Sequence, residues 1–286
     1  MITYVFITSQ LFTEREHLTT AAYADSTNLQ ARVSIYHHRD PQVDFVTWAI
    51  NHLDWPEAAR VLDVGCGYGQ YLKQLSQPTV DDLFLIGVDL SSGMLKDLSQ
   101  QWDTQIPLPH LGVADAQHLP FSANSYDIVL AMHLLYHVPN IEQAAHELRR
   151  ILRSGGTLLV ATNGENHLHE IEQVFCMVLC NMTENRDIAR FLPRISQRFS
   201  LENGASLLRT AFDHIERQDL TGVLKIPEVA PVLAYADSMR PTIEKTLSDG
   251  VTWEEIMRES AQLINDQIAQ HGVFEVQTHA GVFLCN

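Results

Sequence analysis

Arg60-Val-Leu-Asp-Val-Gly-Cys-Gly-Tyr-Gly69 is the stretch that decides the fold. Val61, Leu62 and Val64 make a short apolar run of buried-strand type, and glycines at 65, 67 and 69 then turn the chain into a helix expected from Gln70 to Ser76. A glycine-rich turn between strand and helix lets backbone come close to a ligand and aims the helix's first amides at it. The spacing argues against one ligand class. A dinucleotide fingerprint wants its third glycine at the position that Gln70 occupies.

Reading outward, strand and helix patterns alternate. Leu83 to Val88 forms a second strand ending at Asp89, and Ser91 is placed to N-cap a helix carrying Met94, Leu95 and Leu98. A short strand near Leu111 to Val113 follows, then Tyr126 to Leu130, a helix from Ile141 to Leu152, a turn at Ser154 to Gly156 and a strand from Thr157 to Ala161. This order implies an α/β fold, a doubly wound parallel sheet with right-handed crossovers. Beyond Thr162 the rhythm changes to long helices, His169 to Met182 and Trp253 to Gln270, with two further strands at Asp213 to Lys225 and Val273 to Leu284.

Composition narrows the function. Acidic residues number 35 against 19 basic ones, a formal charge of -16 that repels a phosphate backbone, so nucleic acid is not the expected partner. Arg149 and Arg150 read as a solvated helix surface. Cys66, Cys176, Cys180 and Cys285 have neither a CxxC pair nor zinc-site spacing and read as reduced thiols. His37 with His38, and His167 with His169, lack the geometry and third ligand of a metal site, so no metal is expected. The apolar run at Met1 to Thr13 has no basic lead and is followed by Glu14 and Glu16, and no span reaches the ~20 apolar residues of a membrane helix. The expectation is a cytoplasmic protein, monomer or homodimer, with no membrane partner.

Two carboxylates follow the strands. Asp89 stands twenty positions beyond Gly69, where it can accept from both hydroxyls of a ribose, a device that nicotinamide enzymes share. Asp115, with Ala116 after the third strand, can accept from the exocyclic amine of an adenine.

Taken together, Val61 to Gly69, Gly87-Val-Asp-Leu-Ser91, Ala114-Asp-Ala116, Leu119-Pro-Phe121, Tyr126-Asp-Ile-Val129 and Leu152-Arg-Ser-Gly-Gly-Thr-Leu158 resemble class I S-adenosylmethionine-dependent methyltransferases across roughly residues 58 to 162. The resemblance implies a Rossmann-like seven-stranded sheet with the last strand antiparallel, and S-adenosyl-L-methionine as cofactor. It assigns Gly65 and Gly67 to the methionine portion, Asp89 to the ribose, and Asp115 and Ala116 to the adenine. Leu90 and Met94 become apolar walls, for which ordinary helix-to-sheet packing is the competing reading. Asp63 corresponds to an acid that orients the glycine loop through its amides.

Upstream, Tyr23-Ala-Asp-Ser-Thr-Asn-Leu-Gln-Ala-Arg32 resembles a lead-in segment of a bacterial subgroup, many of whose members modify natural products. There Arg32 would pair with the cofactor carboxylate, and Tyr23 would close over the sulfonium or touch substrate; a surface Arg and a packing Tyr are the bland alternatives. Leu130 to Pro139 resembles the stretch lining the transfer site, with the backbone of Ala131 facing the methionine portion and His133 facing substrate. His133 is the first candidate base and His137 the second, against a purely structural His137.

The expected division is a helical cap over residues 1–55, a cofactor-binding core over 56–162, and cap insertions with the final strands over 163–286. A cap holding Trp48, Trp55, Phe175, Phe191, Tyr235 and Trp253 suits a small aromatic acceptor, a secondary metabolite methylated on O, N or aromatic C. The rival readings are a nicotinamide-dependent oxidoreductase and a non-catalytic scaffold.

Overall fold

Short apolar runs become the strands of one sheet in the computed structural model, which describes residues 11–77, 83–183, 195–247 and 250–286. They are β1 (Arg39–Asp40), β2 (Arg60–Val64), β3 (Phe84–Asp89), β4 (His110–Val113), β5 (Tyr126–Met132), β6 (Leu152–Asn163), β7 (Ile215–Ile226) and β8 (Phe274–Cys285). The sheet order is β1-β7-β8-β6-β5-β2-β3-β4. Strands β2 to β6 pair in parallel, and β8 lies antiparallel between β6 and β7. The expected antiparallel last strand is thus present. One strand is added to the expected seven: β1 pairs Arg39 with Leu224 and Asp40 with Val223 on the outer edge of β7. Two residues carry no alternation, so no pattern in the sequence announces them.

Period-two alternation sorts the strand residues onto two faces. Leu62, Val64, Val129, Ala131, Leu158 and Val160 share one buried cluster, while Val61, Ile128, Leu130, Leu159 and Ala161 share the other. Helices α1 (Thr27–Ser34), α2 (Phe45–Ile50), α3 (Gln70–Leu75), α4 (Ser92–Gln100) and α5 (Ile141–Ile151) surround this parallel part. Leu72 of α3 is fully buried against the second face, and truncating it to Ala would cost about 2–5 kcal/mol. Ser91 caps α4 as expected, its Oγ accepting from the Met94 amide at 3.3 Å. The turn expected at Ser154 to Gly156 instead lies inside β6 as a bulge. Register jumps from Tyr126 opposite Leu152 to Ile128 opposite Thr157, and Gly155 takes φ 77°.

Over the antiparallel end sit α6 (His169–Thr183), α7 (Ala230–Asp237) and α8 (Trp253–His271). Phe175 and Trp253 stack at 6.4 Å inside this layer, and the Trp253 indole donates to Asp237 at 2.8 Å. They fill the cap's own interior. Trp48 and Trp55 pack against the second core cluster. Trp253 is buried in packing, while Trp48, Trp55 and Phe175 are partly buried, and Trp48 packs on Phe45, the neighbour of His133; Phe191 lies outside the described residues.

The N-terminal segment is fastened across the C-terminal edge of the parallel strands. Ser91 Oγ donates to the Tyr23 carbonyl at 2.7 Å, and the Ser26 amide and hydroxyl both donate to Asp97 at 2.8 and 2.7 Å. A Cβ on Gly93 would lie 1.8 Å from the Ala24 carbonyl oxygen, so only glycine permits this approach. Among the described residues no helix is long and apolar enough to cross a membrane.

Candidate active site

Parallel strands leave ligand crevices at their C-terminal ends, where neighbouring crossovers diverge to opposite faces. Here that point lies between β2 and β5, whose pairing stops at Asp63 opposite Leu130. From Ala131 onward the β5 backbone has no strand partner on that side. Ala131 itself is fully buried and paired with Val160 on the β6 side.

The glycine loop takes left-handed backbone at Gly65, Gly67 and Gly69, with φ 72°, 54° and 80°. Amides of Gly65 and Cys66 donate to the Val88 carbonyl at 2.8 and 3.0 Å, tying the loop to β3. Asp89 holds it from the same strand: its Oδ2 accepts from the Gly67 amide at 2.9 Å, and its Oδ1 from the Ser91 amide at 2.8 Å. Burial pushes the Asp89 carboxyl up, opposed by the amides of Ser91, Gly67 and Leu90.

Asp63 does not do what the resemblance implies. Neither of its carboxylate oxygens has a hydrogen-bond partner among the described residues, and the residue is 1% exposed. Alternation along β2 points it to the face shared with Val61, which α3 covers. Burial, followed by the Asp89 charge, pushes its carboxyl up to about 8. Asp89 is thus the acid that orients the loop.

At the end of β4, Asp115 closes a tight turn, accepting from the Gln117 amide at 2.9 Å, and Ala116 packs into the core behind it. Leu90 is half-buried, whereas Met94 is 1% exposed. Arg150, expected at the solvated surface, instead grips the following loop: it donates to the carbonyls of Phe121 and Leu119 at 2.8 and 3.1 Å while paired with Glu147.

Arg32, Tyr23 and His137 form one chain of hydrogen bonds. Arg32 Nη1 donates to the Tyr23 hydroxyl at 2.8 Å, and Tyr23 lies 2.7 Å from His137 Nε2. His137 Nδ1 faces the Phe12 carbonyl at 3.0 Å, so it must carry the ring proton. Nε2 is therefore the acceptor, and Tyr23 donates to it. Burial pushes the His137 imidazole down to about 3, with Arg32 and Arg198 adding to the shift. Arg32 also donates from Nε and Nη2 to the hydroxyl and carbonyl of Ser238, both at 3.2 Å. No carboxylate meets this guanidinium among the described residues, and such a site suits an anionic group brought by a ligand.

His133 opens the loop after β5 with φ 54°, a left-handed conformation that costs a non-glycine residue about 1 kcal/mol or more. Its ring sits 5.4 Å from that of Phe45, and burial pushes its imidazole down to about 4. Tyr36 and His167 join the site without having been singled out for it, their Oη and Nε2 being 2.7 Å apart. Tyr36 lies four residues beyond Arg32, one turn on in the same helical run, and that spacing was the available signal. Tyr235, from the expected aromatic set, shares buried surroundings with Arg32 and Tyr23.

Comparison with known proteins places these features in context. A family model described as a methyltransferase domain matches residues 62–160. A ubiquinone/menaquinone biosynthesis C-methyltransferase of Dinoroseobacter shibae is 30% identical over 61% of this chain and 75% of its own length. A malonyl-[acyl-carrier protein] O-methyltransferase of Legionella pneumophila is 31% identical over 40% of this chain, a match spanning only 39% of that relative. Among solved structures, phosphoethanolamine N-methyltransferase 2 of Haemonchus contortus, in complex with phosphomonomethylethanolamine and S-adenosylhomocysteine, superposes with TM-score 0.53. It is 19% identical, and the superposition covers 96% of this chain and 59% of that one, a likeness of fold.

Proposed function

Because this chain belongs to the class I S-adenosylmethionine-dependent methyltransferases, we propose that it transfers a methyl group to an oxygen, nitrogen or aromatic carbon of a small aromatic acceptor, a secondary metabolite. The observation that carries the site assignment is Arg32, a sequestered guanidinium bonded only to neutral groups, on a helix whose Leu29 approaches the glycine loop that Asp89 fixes at Gly67. S-adenosylmethionine, the methyl donor of that family, has a carboxylate for Arg32 and a ribose diol for the remaining lone pairs of Asp89. Gly65 and Gly67 offer backbone to its methionine portion, Ala131 adds the unpaired β5 edge, and Asp115 with Ala116 and Leu90 surrounds the adenine, while Met94, 1% exposed, packs behind them.

What the donor supplies when bound is a methyl group on a positively charged sulfur. The chain aligns the acceptor against it, keeps water out and receives a proton. His133 is the group for that last task, neutral at physiological pH because burial holds it so. Tyr23 and His137 are engaged with each other and with Arg32, and they position the donor's carboxylate partner instead.

The relatives' names span O-, N- and C-methylation and so support methyl transfer without selecting the atom. Isotopically labelled S-adenosylmethionine incubated with the protein and an extract of the producing organism tests this reading. Mass spectrometry should find the label on one small aromatic compound; label on none, with donor binding intact, contradicts it and returns the non-catalytic scaffold.

A further inference from the structure

Resting on the methyl-transfer reading, we propose that Tyr36 reads the acceptor by donating its hydroxyl proton to a carbonyl or carboxylate oxygen that the acceptor carries beside its nucleophile. The direction of the proton separates Tyr36 from Tyr23. The His279 amide donates to His167 Nδ1 at 3.0 Å, so that nitrogen is the lone-pair side of the ring. A neutral imidazole then has its proton on Nε2, and Nε2 donates to the Tyr36 oxygen at 2.7 Å. Tyr36 keeps its own proton, and no acceptor for it exists among the described residues. Tyr23 cannot substitute, since its proton already goes to His137.

Arg39, whose charge acts on Tyr36, has a buried nitrogen unpartnered among the described residues. Arg39 is 7% exposed; its Nη2 donates to the Thr221 carbonyl at 2.6 Å, but its Nε has no partner. Its charge acts on both Tyr36 and His167. The guanidinium lies over Gly222, where a Cβ would come within 2.8 Å of Cζ, and Gly222 is paired with Thr278, whose Oγ1 is also unpartnered. No carboxylate of the described residues bonds to Arg39, Tyr36 or Thr278, and the Arg39 charge reaches the Tyr36–His167 pair. Lone-pair-rich oxygen satisfies such a set, whereas an ammonium group would be repelled by it. The acceptor class is therefore an aromatic compound bearing a carbonyl or a carboxylate beside its nucleophile, of which phenols are the simplest probes.

The test titrates three phenols into the full chain already saturated with S-adenosylhomocysteine. They are ortho-ethylphenol, ortho-hydroxyacetophenone and salicylate, which present no second oxygen, a carbonyl and a carboxylate. At least one oxygenated probe should bind about tenfold or more tightly than ortho-ethylphenol, and the better one identifies the oxygen's chemistry. In Tyr36→Phe the advantage should shrink to about twofold with S-adenosylhomocysteine affinity unchanged, while His167→Gln, which can still accept and donate in the same directions, should keep it. Equal affinities in the wild type, binding by no probe, or an undiminished advantage in a folded Tyr36→Phe overturns the proposal. The wild-type comparison stands without any variant. Absence of the initial S-adenosylhomocysteine heat would instead remove the methyl-transfer reading itself.

Discussion

Tyr23 gives its hydroxyl proton to His137 Nε2 across 2.7 Å, and because His137 in turn donates to the Phe12 carbonyl at 3.0 Å, the pair ties the N-terminal segment to the loop after β5. Arg32 holds the other side of the same phenol at 2.8 Å. One residue thus couples the closing of the segment to the aim of the guanidinium.

Tyr23→Phe removes both bonds and leaves His137 Nε2 unpartnered in a buried place. We expect S-adenosylhomocysteine affinity to fall by about 1–3 kcal/mol, roughly 5- to 150-fold, by calorimetry. An unchanged affinity would mean that Arg32 is aimed by Ser238 alone.

His133→Asn should separate chemistry from donor binding. Turnover should drop about tenfold or more while S-adenosylhomocysteine affinity stays within about twofold. Equal losses in both would move His133 to a structural role.

Gly93→Ala forces a methyl group into the Ala24 carbonyl, a backbone neighbour that cannot step aside alone. Hydrogen exchange should rise at residues 15–34, with destabilisation of about 1–3 kcal/mol. Protection equal to wild type would show that the segment does not rest on α4.

Stability should depend on pH through two opposed groups. His133 and His137 are held down to about 4 and about 3, below the ordinary 6.5, so the unfolded chain binds protons that the folded one refuses. Their contribution is full above pH 6.5 and is lost as pH falls toward 3. Asp63, held up to about 8 from 3.8, does the reverse: its contribution is full below 3.8 and lost as pH rises through 8. Between pH 6.5 and 8 denaturant titrations should therefore show wild-type stability declining, by up to about 1.4 kcal/mol per pH unit, with Asp63→Asn flatter. Equal slopes would place a partner on Asp63.

The parallel half of the fold was legible because its strands are short apolar runs ending in glycine or aspartate, and the crossover helices repeat their apolar residues on one face. Ser91 announced its cap, and Asp89 its place at a strand end. Other features depend on long-range neighbours. Asp63 looked like the loop's partner, yet neither of its oxygens bonds to a described residue, and Asp89 takes the Gly67 amide instead. Arg150 looked solvated, yet finds the Leu119 and Phe121 carbonyls around thirty residues earlier in the chain. Tyr36 carries no local mark beyond its spacing from Arg32, because its role arises from the direction in which a distant His279 amide points.

In the proposed site Arg32, the glycine loop and Asp89 together grip S-adenosylmethionine. Calorimetric titration of S-adenosylhomocysteine into the wild type and into Asp89→Ala addresses it directly. We expect saturable single-site heat in the wild type and affinity weakened by about 1–3 kcal/mol in the variant. No heat in the wild type at millimolar ligand, or equal affinity in both proteins, would contradict it.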